Sequence, residues 1–152
     1  SVEDLTRQSY RPRALTNLYD AIAKLVHDTE DYLKRMSPAP RVMCTIMTDG
    51  EENSSSEYTR AAIFKLITDK EKEGWAFAYL GANQDAWAAS ESIGIHRRNS
   101  VNYQADAPDV ALRSTADATS RWVRRRRQVG KIERFFVEED LVKIKGRSGN
   151  RY

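Results

Sequence analysis

The stretch VMCTIMTDGEENSSSE, residues 42–57, passes abruptly from an apolar-leaning run to Thr48-Asp49-Gly50 and then to acids and serines. A carboxylate carried on the end of a buried strand suits a metal or ligand site at the carboxyl edge of a sheet, the rim where open α/β folds bind their ligands. The competing reading is a turn into a helix, with Asp49 accepting backbone N–H groups and Gly50 supplying backbone freedom. The second concentration of chemistry is RWVRRRR, where Arg121, Arg124, Arg125, Arg126 and Arg127 form a basic run. Such a run suits nucleic acid or an acidic protein surface. It also falls at the end of a predicted helix, where basic side chains favour the negative pole and face solvent. Signals for catalysis are thin. His27 and His96 are far apart and neither sits in a nucleophile or metal pattern. Ser54-Ser55-Ser56 lacks the Gly-x-Ser-x-Gly elbow, and there is no phosphate-cradling glycine loop. Asp49 with Glu51 and Glu52 could mimic a carboxylate pair, but neighbouring acids are common in loops. The expectation is a binding protein, not an enzyme.

The 152 residues suffice for one domain with its own core, and 40% apolar with 31% charged residues suits a globular protein. No apolar run approaches the ~20 residues of a membrane span, and there is no secretory pattern at the start. A cytoplasmic setting is expected. The net charge of +3 says little, but residues 121–134 hold seven basic residues against the single acid Glu133. Cys44, the sole cysteine, lies inside the apolar run and reads as a small buried residue.

The elements that must position these groups alternate along the chain. Leu18, Ile22, Leu25, Thr29, Leu33 and Met36 recur at helical spacing and predict a helix over Asn17–Met36, with Thr16 as N-cap and Asp20 at its positive end. Val42–Met47 is a continuous apolar strand of the kind covered on both faces in parallel sheets. A helix over Glu57–Glu73 follows, with Ala62, Ile63, Leu66 and Ile67 inward and Gly74 as its stop. Trp75–Leu80 reads as a second strand, with Phe77 and Tyr79 in the core beside Trp75 and Trp87. A short helix ends near Gly94, Ser100–Tyr103 reads as a third strand, and Pro108 opens a last helix to about Arg127 with Trp122 and Val123 as core anchors. Alternating strands and helices imply right-handed βαβ units and a Rossmann-like α/β three-layer sandwich with a mainly parallel sheet. The expected domain spans residues 1–128. Residues 129–152, with KIERFFVEEDLVKIK, read as a hairpin or a docking arm.

Three stretches carry a resemblance. RALTNLYDAIAKLV, residues 13–26, resembles the von Willebrand factor A segment in which a threonine precedes a helix beginning Leu-x-Asp-Ala-Ile. VMCTIMTDGEEN resembles that family's later strand ending in Thr-Asp-Gly. GWAFAYLGANQDAWAASESIGI resembles the next strand and helix in a bacterial and phage-associated branch. The resemblance covers roughly residues 5–127 and implies a non-enzymatic binding module with a metal-ion-dependent adhesion site. There a divalent ion, usually Mg2+, is held by oxygen ligands matched here by Thr16 and Asp49, and a partner's carboxylate completes the coordination. Asn83 and Asp85, in the turn after the second strand, are the candidate partner-contacting residues. The chain departs from the pattern: it contains no Asp-x-Ser-x-Ser, and Ala14 replaces the usual glycine two residues before the threonine. The family's first strands have no counterpart, so the expected domain is N-terminally incomplete and the expected metal site is partial. Residues 42–47 should then form an unpaired edge that seeks a protein partner or a second chain. The competing expectation is a basic structural subunit with a vestigial metal site that contacts nucleic acid or an acidic neighbour through Arg121–Arg127. A hydrolase using the acidic rim is a weaker third.

Overall fold

The structure, a computed structural model, describes residues 15–82, 85–125 and 134–145. Three strands, β1 (Met43–Thr48), β2 (Ala76–Ala82) and β3 (Ser100–Tyr103), form one all-parallel sheet in the order β1-β2-β3. Parallel neighbours cannot be joined by a tight turn, so each connection is a helical crossover. α2 (Arg60–Lys72) links β1 to β2, and α3 (Ala86–Ser92) with a 3-10 turn (Arg97–Asn99) links β2 to β3. α1 (Leu18–Leu33) precedes the sheet, while α4 (Pro108–Arg124) and α5 (Glu138–Lys145) follow it. The chain therefore adopts the α/β arrangement that the alternation of elements predicts. No described helix is long and apolar enough to cross a membrane.

β2 is the central strand and is buried along its whole length. Its side chains alternate between two cores, as the period of two requires. Phe77 and Tyr79 face one, with Ile22 and Val26 of α1, Ile63 and Ile67 of α2, and Ile93 and Ile95. Ala76, Ala78, Leu80 and Ala82 face the other, with Val101, Ala111, Ala118, Trp122, Phe135, Phe136 and Ile144. Three alanines leave a shallow floor on that side, and the bulk of Trp122, Phe135 and Phe136 fills the space to the density that interiors require.

Several expectations are corrected. β1 is not covered equally on both faces: Cys44, Ile46 and Thr48 are buried, Met43 and Met47 half-buried, and Thr45 exposed. It lies at the edge of the sheet, where the layer built by α4 and α5 only partly reaches. α1 begins at Leu18 with Asn17, not Thr16, in the N-cap position. Its buried residues are Ile22, Ala23 and Val26, whereas Leu25 is 46% exposed, because α1 packs chiefly on α2 and not flat on the sheet. Ala62 and Val123 are likewise exposed, unlike Trp122. α2 starts at Arg60, with Thr59 accepting the N–H of Ala62 as its cap. Gly74 and Gly94 end α2 and the α3 segment with φ of +92° and +90°, the left-handed conformation that glycine adopts without a Cβ penalty. The described part of the C-terminal extension is not a hairpin: it docks on the domain itself and ends in α5. The Phe135 N–H bonds the buried Asn99 side chain at 2.9 Å, both phenylalanines enter the second core, and α5 packs on α4 and β3.

Candidate functional site

The carboxyl rim of the sheet brings together residues that are far apart in sequence. Thr48, the last residue of β1, donates its hydroxyl to the Gly50 carbonyl at 2.8 Å and accepts the Gly50 N–H at 3.2 Å. The turn is thus held by Thr48. The reading in which Asp49 accepts the turn's amides is corrected: the Asp49 carboxylate makes no hydrogen bond among the described residues and is exposed. Thr16 sits against this turn. Its N–H bonds Asn53 Oδ1 at 2.8 Å, and the Asn53 N–H returns to the Thr16 carbonyl at 3.0 Å. The Thr16 hydroxyl lies so close to Gly50 that a Cβ there would be 3.1 Å from Oγ1. A Cβ there would require the Thr16 side chain to give by a few tenths of an ångström. Thr16 and Asp49 therefore do share one rim. Asp49 also acts on Tyr103 at the end of β3, whose hydroxyl is pushed up first by burial and then by the Asp49 charge.

Two further carboxylates build the rim, and sequence reading missed how. Glu52 accepts the N–H groups of Tyr19, Ser54 and Ser55 and the Ser55 hydroxyl, at 2.7–2.9 Å. Burial opposes its charge, but the bonds led by Ser55 win and hold it below the ordinary range. Tyr19 lies in the first turn of α1, so Glu52 satisfies a helix-start donor from another loop. Asp20 does the reverse: it accepts the N–H groups of Ser56, Glu57 and Tyr58 at 2.9–3.2 Å, led by Ser56, and its carboxyl is held low. The helix-dipole role read for Asp20 is only part of its work. The Glu52–Tyr19 bond and the three bonds to Asp20 span 33–38 residues, and a single local pattern carries no signal for them. Beside them lies a cleft of about 340 Å³ lined by Leu18, Tyr19, Glu51, Glu52, Asp85 and Ile93 among others. Asp85 thus reaches the same region, but it also caps α3 by accepting the N–H groups of Trp87 and Ala88 at 3.1 Å. Asn83 lies outside the described residues.

A magnesium ion takes about six oxygens. Thr16 and Asp49 offer a hydroxyl and a carboxylate, and among the described residues no group of three or more His, Cys, Asp or Glu could hold a metal. The donor set present falls short of a resident metal site, and water or another chain would have to supply the rest.

The basic run is not one surface. Arg121 pairs with Asp140, which is 1% exposed and also accepts the N–H of Val137 just before α5. Arg121 is thus a structural tie between α4 and α5 and leaves the predicted patch. Arg124 is exposed at the end of α4. Arg125 is extended and bonds the Arg134 carbonyl at 2.8 Å. Arg126 and Arg127 lie outside the described residues. Arg41 completes the end of α4, stacking 3.7 Å from the Trp122 ring centroid and donating to the Trp122 and Arg125 carbonyls. Compared with known proteins, the chain matches no family model, no curated sequence and no solved structure.

Proposed function

We propose that the chain is a non-enzymatic protein-binding module of the von Willebrand factor A type, acting within a larger assembly through its carboxyl rim and the adjacent edge of β1. The observation that carries this reading is the state of Asp49. Its turn is held by Thr48, its carboxylate is exposed and uncommitted among the described residues, and the Thr16 hydroxyl is held against the neighbouring Gly50. An exposed carboxylate beside a hydroxyl is suited to hold a divalent cation jointly with a partner's oxygens. Mg2+ in this reading is a bridging ion, weakly held by the chain alone.

Paramagnetic relaxation by Mn2+, a spectroscopic stand-in for Mg2+, tests it. Millimolar Mn2+ should broaden the amide signals of Thr16, Asp49 and Gly50 first, and Asp49→Ala should abolish the effect. Equal broadening in the variant, or first broadening elsewhere on the surface, would overturn the rim as the cation site. Micromolar affinity in the isolated chain would refute the partial ligand count. The alternative, a basic structural subunit with a vestigial site, draws on the short donor set and would be favoured by that first outcome.

A further inference from the structure

A second cleft lies beside Ser100, the first residue of β3, which pairs with Tyr79 of β2. It measures about 320 Å³ and is lined by Trp87 of α3, His96, Arg97 and Arg98 of the following turn, Ser100 of β3, and Arg134 and Leu141 of the C-terminal segment. The fold gathers three guanidinium groups there from positions up to 37 residues apart in the chain, 134 minus 97. Arg97 and Arg98 are exposed and make no ion pair among the described residues. Among the described residues Arg134 has one acid near it, Glu138 at 3.6 Å, itself 80% exposed, and its Nε donates to the Phe136 carbonyl at 2.9 Å, which leaves the other guanidinium nitrogens toward the cleft. His96 caps the turn by accepting the Arg98 N–H on Nδ1 at 3.1 Å. Trp87 is 36% exposed, is anchored by its indole N–H to the Ser100 carbonyl at 3.3 Å, and carries the Arg97 guanidinium 5.2 Å from its ring centroid.

We propose that this cleft binds one nucleotide unit of a single-stranded nucleic acid, with a base against Trp87 and the adjoining phosphates on Arg97, Arg98 and Arg134. Planar guanidinium forks match phosphate oxygens, and an anchored indole offers the sequence-tolerant stacking platform that single-strand binders combine with such charge. The cleft's size is at the lower end of small-ligand sites, ~300–1,000 Å³, which suits a single unstacked nucleotide. Arg125, bonded to the Arg134 carbonyl, extends the positive charge beyond the cleft. That extension favours a strand over a free nucleotide. Bases closed inside a duplex could not reach the indole. This inference does not rest on the rim: the two clefts share no lining residue, although Trp87 lies two residues from Asp85.

Fluorescence anisotropy with a labelled 12-nucleotide oligothymidylate tests it, run against salt on the full chain. Arg97→Ala/Arg98→Ala should weaken binding at least tenfold and reduce the log-log salt slope by about 1.4, at ~0.7 per phosphate contact on single strands. Trp87→Leu should weaken binding at least fivefold, while Trp87→Phe, which keeps an aromatic face, should retain most of the affinity. The charge-matched control Lys24→Ala/Arg113→Ala, on other helices, should change it less than twofold. An unchanged affinity in Trp87→Leu would overturn the nucleotide reading and leave adherence of any polyanion, as would equal loss in the control. A duplex of the same length binding as tightly, or adenosine monophosphate competing at the same concentration of nucleotide, would overturn the single-strand assignment.

Discussion

Glu71→Gln should stabilise the protein, and the gain should depend on pH. Glu71 lies in the last turn of α2, half-buried, and its carboxylate makes no hydrogen bond or ion pair among the described residues. The neighbouring cation Lys70 is already engaged by Glu30 at 2.5 Å and Glu73 at 2.7 Å. Burial alone therefore pushes the Glu71 carboxyl up from 4.5 to about 7. The unfolded chain releases this proton first, so between those two values the folded state binds more protons and stability falls as pH rises. At 1.36 kcal/mol per pH unit, the full cost above pH 7 approaches ~3 kcal/mol. Partial solvent access at this site reduces it to ~1–2 kcal/mol. Glutamine keeps the shape without the charge. Urea unfolding at pH 5 and pH 8 should give a variant only slightly more stable than wild type at pH 5 and ~1–2 kcal/mol more stable at pH 8. A difference between the two proteins that is the same at both pH values would refute the argument, because it would show that Glu71 ionises alike in the folded and unfolded chain.

Asp140→Ala should destabilise the fold by ~2–4 kcal/mol in the same assay, less than the full cost of a buried ion pair because Arg121 is 38% exposed; it strands Arg121 and removes the acceptor of the Val137 N–H. A loss below ~0.5 kcal/mol would reduce this tie to an ordinary surface pair. Among the described residues no strand pairs with the outer edge of β1, and this makes a kinetic prediction. The Val42 carbonyl accepts the Ala76 N–H, so in a parallel ladder the backbone groups of Met43, Thr45 and Met47 point away from β2. VMCTIM carries no charge or proline to protect that edge. These three amides should exchange fast with deuterium in dilute monomer and slow as the chain self-associates or meets its partner. Slow exchange in a chain proven monomeric by light scattering would mean that the edge is covered from within.

The sequence by itself determined the alternation of helices and strands, and with it a parallel sheet, because residue periodicity and glycine stops are local properties. Ser100–Tyr103 was legible as the third strand, Gly74 and Gly94 as helix ends, and WAFAYL as the second strand, which the fold sets at Ala76–Ala82. Asp49 was legible as a rim residue because a strand must end somewhere, and acids after its end face solvent. Which polar groups remain available was decided only by tertiary structure. Thr48 and Asp49 are adjacent candidates for the same turn, and the fold uses Thr48. Asp20 and Glu52 look like exposed acids until α1 meets the loop after β1, where each accepts backbone donors more than 30 residues away. Arg121 belongs to an arginine run in one dimension and to Asp140 in three. Conversely, His96, Arg97 and Arg98 gave no signal until Phe135 and Phe136, filling the space above β2's alanines, folded the C-terminal segment back and brought Arg134 beside them. A local pattern fixes which way a side chain points from its own element. Its partner depends on how distant elements close around the core, and in this chain that closure separates the groups that hold the fold from those left to bind.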